Sequence, residues 1–160
     1  MEDILRILER DARATPDQIA RQTGRAADEV ARLIKDAEER GIIVRYKTVI
    51  NWNKVAEEAV TALVEVKVTP QRDVGFDAIA QRIYRFSEAR SVYLMSGTYD
   101  LLVQLSGPSL RHVSNFISEK LAPLDTVQST TTHFLMKRYK EDGDILEGVP
   151  EDSRRLPVAP

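Results

Sequence analysis

At 160 residues, 42% hydrophobic and 30% charged, the chain suits one medium globular domain or two small ones and can bury a sizeable core. Cysteine is absent and the only histidines are His112 and His133, which excludes disulfides, thiolate metal centres and thiol catalysis and leaves a histidine-built zinc or catalytic site without support. The formal net charge of −2 lacks the global basicity of a non-specific nucleic-acid binder, and there is no apolar run of ~18 residues that would span a membrane.

The start, MEDILRILERD, is acidic and amphipathic, unlike a signal peptide, so the expected location is the cytoplasm. Residues 3–10 place Ile4, Leu5, Ile7 and Leu8 on one stripe with Arg6, Glu9 and Arg10 outward, which predicts a first helix. Residues 15–43 then read as two short helices joined by a tight turn. Thr15 is a plausible N-cap with Pro16 at the first helical position. Ile19 and Ala20 face inward, Gly24 supplies the turn, and Val30, Leu33, Ile34 and Ala37 recur at helical spacing. Ala20, Gly24, Val30 and Leu33 match what a helix-turn-helix needs: a small residue for close approach, a glycine for the turn, and two aliphatics that lock the second helix. After Gly41, IIVRYKTVIN fits a short β-wing that places Arg45 and Lys47 near a DNA backbone.

With Gly24 in the turn, the groove-facing positions of the second helix are Ala26, Ala27, Asp28, Ala31, Arg32 and Lys35. Arg32 is the candidate for guanine recognition, because its fork bonds two acceptors at once, and Arg25 for phosphate. Against this, residues 27–41 carry five acids and three bases, and residues 1–55 carry eleven bases and ten acids. Tight binding by one such head is not expected; several heads on spaced sites compensate.

Residues 51–58, NWNKVAEE, read as a linker in which Trp52 anchors an interface. From Ala59 the pattern changes. VTALVEVKVT (60–69) alternates with period two and Pro70 ends that strand. A helix is predicted from Asp73 to Phe86, with Phe76, Ile79, Ala80, Ile83 and Tyr84 inward, then a strand over 89–96. Gly97-Thr98-Tyr99 turns the chain into a third strand, DLLVQLSG. Pro108 opens a helix with Leu110, Val113, Phe116, Ile117 and Leu121 at core spacing, and DTVQSTTTHFLMKRYK (125–140) forms a long last strand. The predicted class is therefore α+β: an N-terminal winged helix-turn-helix (1–50), a linker (51–58) and a ferredoxin-like β-α-β-β-α-β domain (59–140). One sheet face is left without helices and presents Leu63, Tyr93, Phe134 or Met136 according to register, which predicts a homodimer through that face. Residues 141–160 lose periodicity and read as a tail, with Ile145 and Leu146 available to pack on a neighbour.

This order of modules resembles the Lrp/AsnC family of transcription regulators over roughly residues 1–140. SGTYDLLVQLSG (96–107) is similar to the family's strand–Gly-x-Tyr-Asp–strand signature in its ligand-sensing domain, GIIVRYKTVIN to its wing, and TTTHFLMKRYK to its last strand. The resemblance implies double-stranded DNA as partner, dimers that assemble further into octamers or related rings, and an amino acid or similar small effector bound between dimers. It implies an effector site at Ser96, Gly97, Thr98, Tyr99, Asp100, Thr130 and Thr132. Gly97 leaves N–H groups free for a carboxylate, Asp100 offers a charge for an ammonium group, and Thr130 and Thr132 share a strand face with their hydroxyls. A plain hairpin glycine and a turn-capping acid are equally good readings of Gly97 and Asp100 alone. No catalytic residue, metal ligand or cofactor is identified. Two alternatives stand beside the regulator: an effector-binding assembly protein whose acidic helix has weakened DNA binding, and an enzyme like the sirohaem decarboxylases of related fold, for which His112 and His133 are meagre provision.

Overall fold

The computed structural model describes residues 1–55, 59–69 and 75–147. Its contacts divide the chain into two compact units, Met1–Ile50 and Asn51–Pro160.

The first unit is a three-helix head: α1 (Glu2–Arg10), α2 (Pro16–Thr23) and α3 (Ala27–Glu39). Thr15 and Gln18 form a reciprocal capping box at the start of α2, each side chain bonding the other's backbone N–H. Gly24 ends α2 in the left-handed region, at φ 70°, where its N–H bonds the Ala20 oxygen. Ile4, Leu8, Ile19, Ala20 and Val30 form the buried core, with Ile7, Leu33, Ile34 and Ile43 packed against it. Past Gly41, the N–H groups of Ile42 and Ile43 both return to the oxygen of Ala37, closing the end of α3.

Here one expectation fails. Residues 44–50 form no strand and Val44 is 86% exposed. A ladder needs a second strand, and the described residues of the head supply none; among the described residues the segment's side-chain hydrogen bond is from the Tyr46 hydroxyl to Glu38 Oε1, 2.7 Å away.

The second unit holds β1 (Val60–Val68), α4 (Asp77–Tyr84), β2 (Ala89–Leu94), β3 (Leu101–Gly107), α5 (Leu110–Phe116, continued by a π turn over Ile117–Leu121) and β4 (Val127–Phe134). The sheet is antiparallel in the order β2-β3-β1-β4, the ferredoxin-like arrangement. Ala62, Val64, Val66 and Val68 of β1 and Leu101, Val103 and Leu105 of β3 bury against Ile79, Ile83, Val113, Phe116 and Leu121 of the helices. Phe86 meets Phe116 edge to face, centroids 5.1 Å apart.

Several details depart from the expectations. Tyr84 and Leu110, assigned to the helix cores by spacing, are 56% and 57% exposed. Ser109 rather than Pro108 caps α5, accepting from the His112 N–H. The last strand stops at Phe134. Phe134 pairs with Ala62 and so lies on the helix side of the sheet, packed on the core. The open face instead carries Leu63, Leu102 and Tyr93 among Glu65, Lys67, Gln104, Thr131 and His133, while Met136 lies beyond the strand, 92% exposed. Nor are residues 141–147 all tail. β5 (Lys140–Glu141) and β6 (Asp144–Ile145) form a hairpin that buries Leu146 in its own chain and leaves Ile145 63% exposed. The Asn51 amide bonds the Leu146 oxygen, and Trp52, in a single 3-10 turn over Trp52–Lys54, is 45% exposed. Pro70, Asp73 and most of the remaining tail lie outside the described residues.

Candidate functional site

In the head, α3 presents Ala26, Asp28, Ala31, Arg32 and Lys35 to solvent, while Ala27 packs partly into the core. Arg32 donates its Nε to the backbone oxygen of Asp28 at 3.4 Å, so the terminal guanidinium nitrogens have no protein partner among the described residues. Lys35 lies 3.7 Å from Glu39, an exposed pair of small consequence. Arg45 and Lys47 are exposed on the extended segment after Gly41.

Arg25 is differently placed. Its Nη1 donates to Glu29 Oε1 at 2.8 Å and its Nε to Asp3 Oδ2 at 3.3 Å. These bonds, that to Glu29 foremost, hold its pKa above the ordinary guanidinium value. Asp3 is in turn pulled down to about 2, chiefly by its hydrogen bond from the N-terminal ammonium. A guanidinium so engaged must exchange partners before it can grip phosphate. From the sequence, Asp3 is far from Arg25, and nothing in the α3 pattern signals that bond.

In the second unit the expected effector residues occupy two places. Ser96, Gly97, Thr98, Tyr99 and Asp100 make the connection from β2 to β3, with Gly97 at φ 156°, a backbone L residues rarely adopt. Thr130 pairs with Val66 and Thr132 with Val64, so both hydroxyls lie on the helix side of β4. Val66 also pairs with Leu101, which puts β1 between the connection and the threonines, a spacing of about 10 Å across two strand intervals. Asp100 is already committed: its Oδ2 accepts from the Val68 N–H at 2.9 Å and lies 3.5 Å from Lys67 Nζ. Val68 follows the register shift in β1, where the ladder loses its regular partner. The capping reading of Asp100 therefore has a specific geometry behind it.

Two features escaped the sequence reading. On the open face, His133 Nε2 lies 3.1 Å from Glu65 Oε1, across the β1–β4 pair. Beside it, between the sheet and the residues leading into the hairpin, runs a groove of about 400 Å³ lined by Thr61, Leu63, Gln104, Leu135, Arg138 and Tyr139, among others. Arg138 bridges it, bonding Thr61 Oγ1 at 2.8 Å and lying 3.5 Å from Glu141. Only the run KRYKE hints at it, and by pattern that run reads as the end of the strand and the start of the tail. Among the described residues no group of three potential metal ligands comes together, and no helix is long and apolar enough to cross a membrane.

Comparison with known proteins divides the chain similarly. A family model described as winged helix-turn-helix DNA-binding matches residues 2–44, and one described as Lrp/AsnC ligand binding domain matches residues 61–145. The chain is 48% identical over 159 residues to the uncharacterized HTH-type transcriptional regulator YugG of Bacillus subtilis, covering 99% of this chain and 95% of that protein. Its fold is that of a transcriptional regulator of Neisseria meningitidis solved as an L-methionine complex, with TM-score 0.69 at 22% identity over 87% of this chain and 89% of that one. A feast or famine regulatory protein of Mycobacterium tuberculosis, also complexed with L-methionine, gives TM-score 0.70 at 20% identity over 91% and 96%.

Proposed function

This chain belongs to the Lrp/AsnC family of transcriptional regulators, and from that premise we propose that it binds its operator as a dimer or larger assembly under the control of an amino acid in the cytoplasm. The observation that carries the DNA half is the exposed stripe of α3, where Arg32 offers unengaged guanidinium nitrogens beside the small Ala31. Base edges need such a donor close to the helix axis, and an alanine neighbour lets the helix seat deeply. The near-neutral head favours several heads acting together over one alone. Leu63, Tyr93 and Leu102 on the open sheet face, continuous with the groove, favour a second copy of the same sheet as the dimer partner.

The effector half rests on the β2–β3 connection and on the relatives solved with L-methionine. A ligand reaching both Gly97 and Thr130 spans β1, which suits a site completed by another protomer. Asp100 acts there chiefly by holding β1 and Lys67, and the backbone N–H groups of the Gly97 turn are the ligand-facing partners.

The test is an electrophoretic shift of DNA from upstream of the protein's own gene, against excess unrelated duplex, with the amino acids added singly. The reading expects a retained specific complex whose affinity or mobility changes with at least one of them. Loss of the complex to unrelated competitor would support the assembly protein with weakened DNA binding, which the tethering of Arg25 favours.

A further inference from the structure

The acids of α3 are not equivalent. Glu29 bonds Arg25 at 2.8 Å, Asp36 bonds Arg40 at 3.0 Å, Glu38 accepts from Tyr46 at 2.7 Å, and Glu39 lies 3.7 Å from Lys35. Asp28 alone among them has a carboxylate with no partner among the described residues, and it is exposed. It stands four residues before Arg32 and therefore on the same stripe of the helix. Arg32 reaches only its backbone oxygen, through Nε, and the two side chains form no ion pair among the described residues. Had they paired, neither would be available to a base.

We propose that Asp28 is a specificity-determining residue whose carboxylate accepts a hydrogen bond from the N4 amino group of a cytosine. The inference rests on the operator-binding reading above and names the base pattern that the same surface takes. A carboxylate repels phosphate, so within the major groove its favourable partner is an exposed amino donor, and cytosine N4 is the one an acid typically reads. Arg32 donates to guanine N7 and O6. Four residues of helix rise about 6 Å, which is about two base-pair steps of ~3.4 Å, so the cytosine lies within two pairs of that guanine. Ala31, between them in sequence, adds no bulk to hold the helix off the base edges. The same charge weakens binding to every duplex without that cytosine, so discrimination is gained partly by repulsion.

The experiment is selection from random duplex DNA with the full chain, wild type and the variants Asp28→Ala and Asp28→Asn, each followed by binding to an unrelated duplex. Wild type is expected to enrich a cytosine within two base pairs of a guanine. Asp28→Ala loses that preference by about fivefold or more while binding unrelated DNA more tightly. Asp28→Asn moves the preference toward adenine, whose N6 and N7 an amide reads. An acid that only stabilises the helix start would alter melting and leave the selected bases unchanged; that result overturns the proposal. If wild type enriches a site that all three proteins share, only the role of Asp28 fails. If wild type enriches no sequence at all, the operator-binding reading falls and this inference with it.

Discussion

Glu29 Oε1 and Arg25 Nη1 lie 2.8 Å apart at the entry to α3, so the cation nearest the helix start is tied to an acid of that helix. Releasing it changes the electrostatics of the DNA-facing surface. Glu29→Gln is expected to raise affinity for duplex DNA and to steepen log K against log salt by up to about one unit, the increment of one added phosphate contact. The pair itself is half exposed, so its loss should leave stability nearly unchanged. Binding isotherms at several salt concentrations check this, and an unchanged slope in both Glu29→Gln and the double variant with Asp3→Asn would mean that Arg25 does not reach the backbone.

Arg32→Ala should cost ~1–3 kcal/mol of specific binding and relax preference at one position, leaving non-specific affinity nearly intact. Lys47→Ala should instead weaken all sequences alike. Retention of the operator preference by the Arg32 variant removes that residue from base recognition.

Tyr46 donates its hydroxyl to Glu38 Oε1, and this bond, more than partial burial or the neighbouring charge, raises the phenol pKa above 10.0. The bond exists only with the phenol protonated. Its contribution is therefore complete below the unfolded pKa of about 10 and disappears as pH rises through the higher folded value. Tyr46→Phe should therefore lower the melting temperature slightly at neutral pH and remove the alkaline dependence, so that the difference between the two proteins narrows from pH 8 to pH 11. Parallel curves would show that the segment after Gly41 does not hold this contact.

Asp100→Ala removes the acceptor for the Val68 N–H beside the β1 irregularity. Leaving that donor without its partner is expected to cost ~1–3 kcal/mol in urea unfolding. The response to effector should weaken in proportion to that loss. A variant of full stability that no longer responds would make Asp100 a ligand contact instead.

The head was legible because its signals are local. Thr15, Pro16, Gly24 and the spacing of Val30, Leu33 and Ala37 each act within a turn or two, and the structure uses every one of them. The order of strands and helices was equally legible from period and punctuation. Register was not. Phe134 went to the core because it pairs with Ala62, a match fixed by contacts 72 residues apart, beyond any local pattern. The hairpin over Lys140–Ile145 was hidden for a related reason: its strands have two residues each and no apolar alternation to show them. Among the candidate site residues, Arg25 and Asp100 were recognised by type but not by allegiance. Beyond Glu29, one turn along from Arg25, their partners Asp3 and Val68 lie 22 and 32 residues away.

Control by an amino acid requires energetic coupling between the ligand-binding domain and the DNA-binding head, and calorimetric titration of one ligand in the presence of the other measures that coupling. L-methionine, or whichever amino acid shifts the DNA complex, is titrated into the free protein and into the protein saturated with operator. Coupling is reciprocal, so the account predicts that its affinity changes by the factor by which it changes DNA affinity, ~5- to 150-fold for typical coupling energies. Equal affinities in the two titrations, with measurable binding in both, would contradict it.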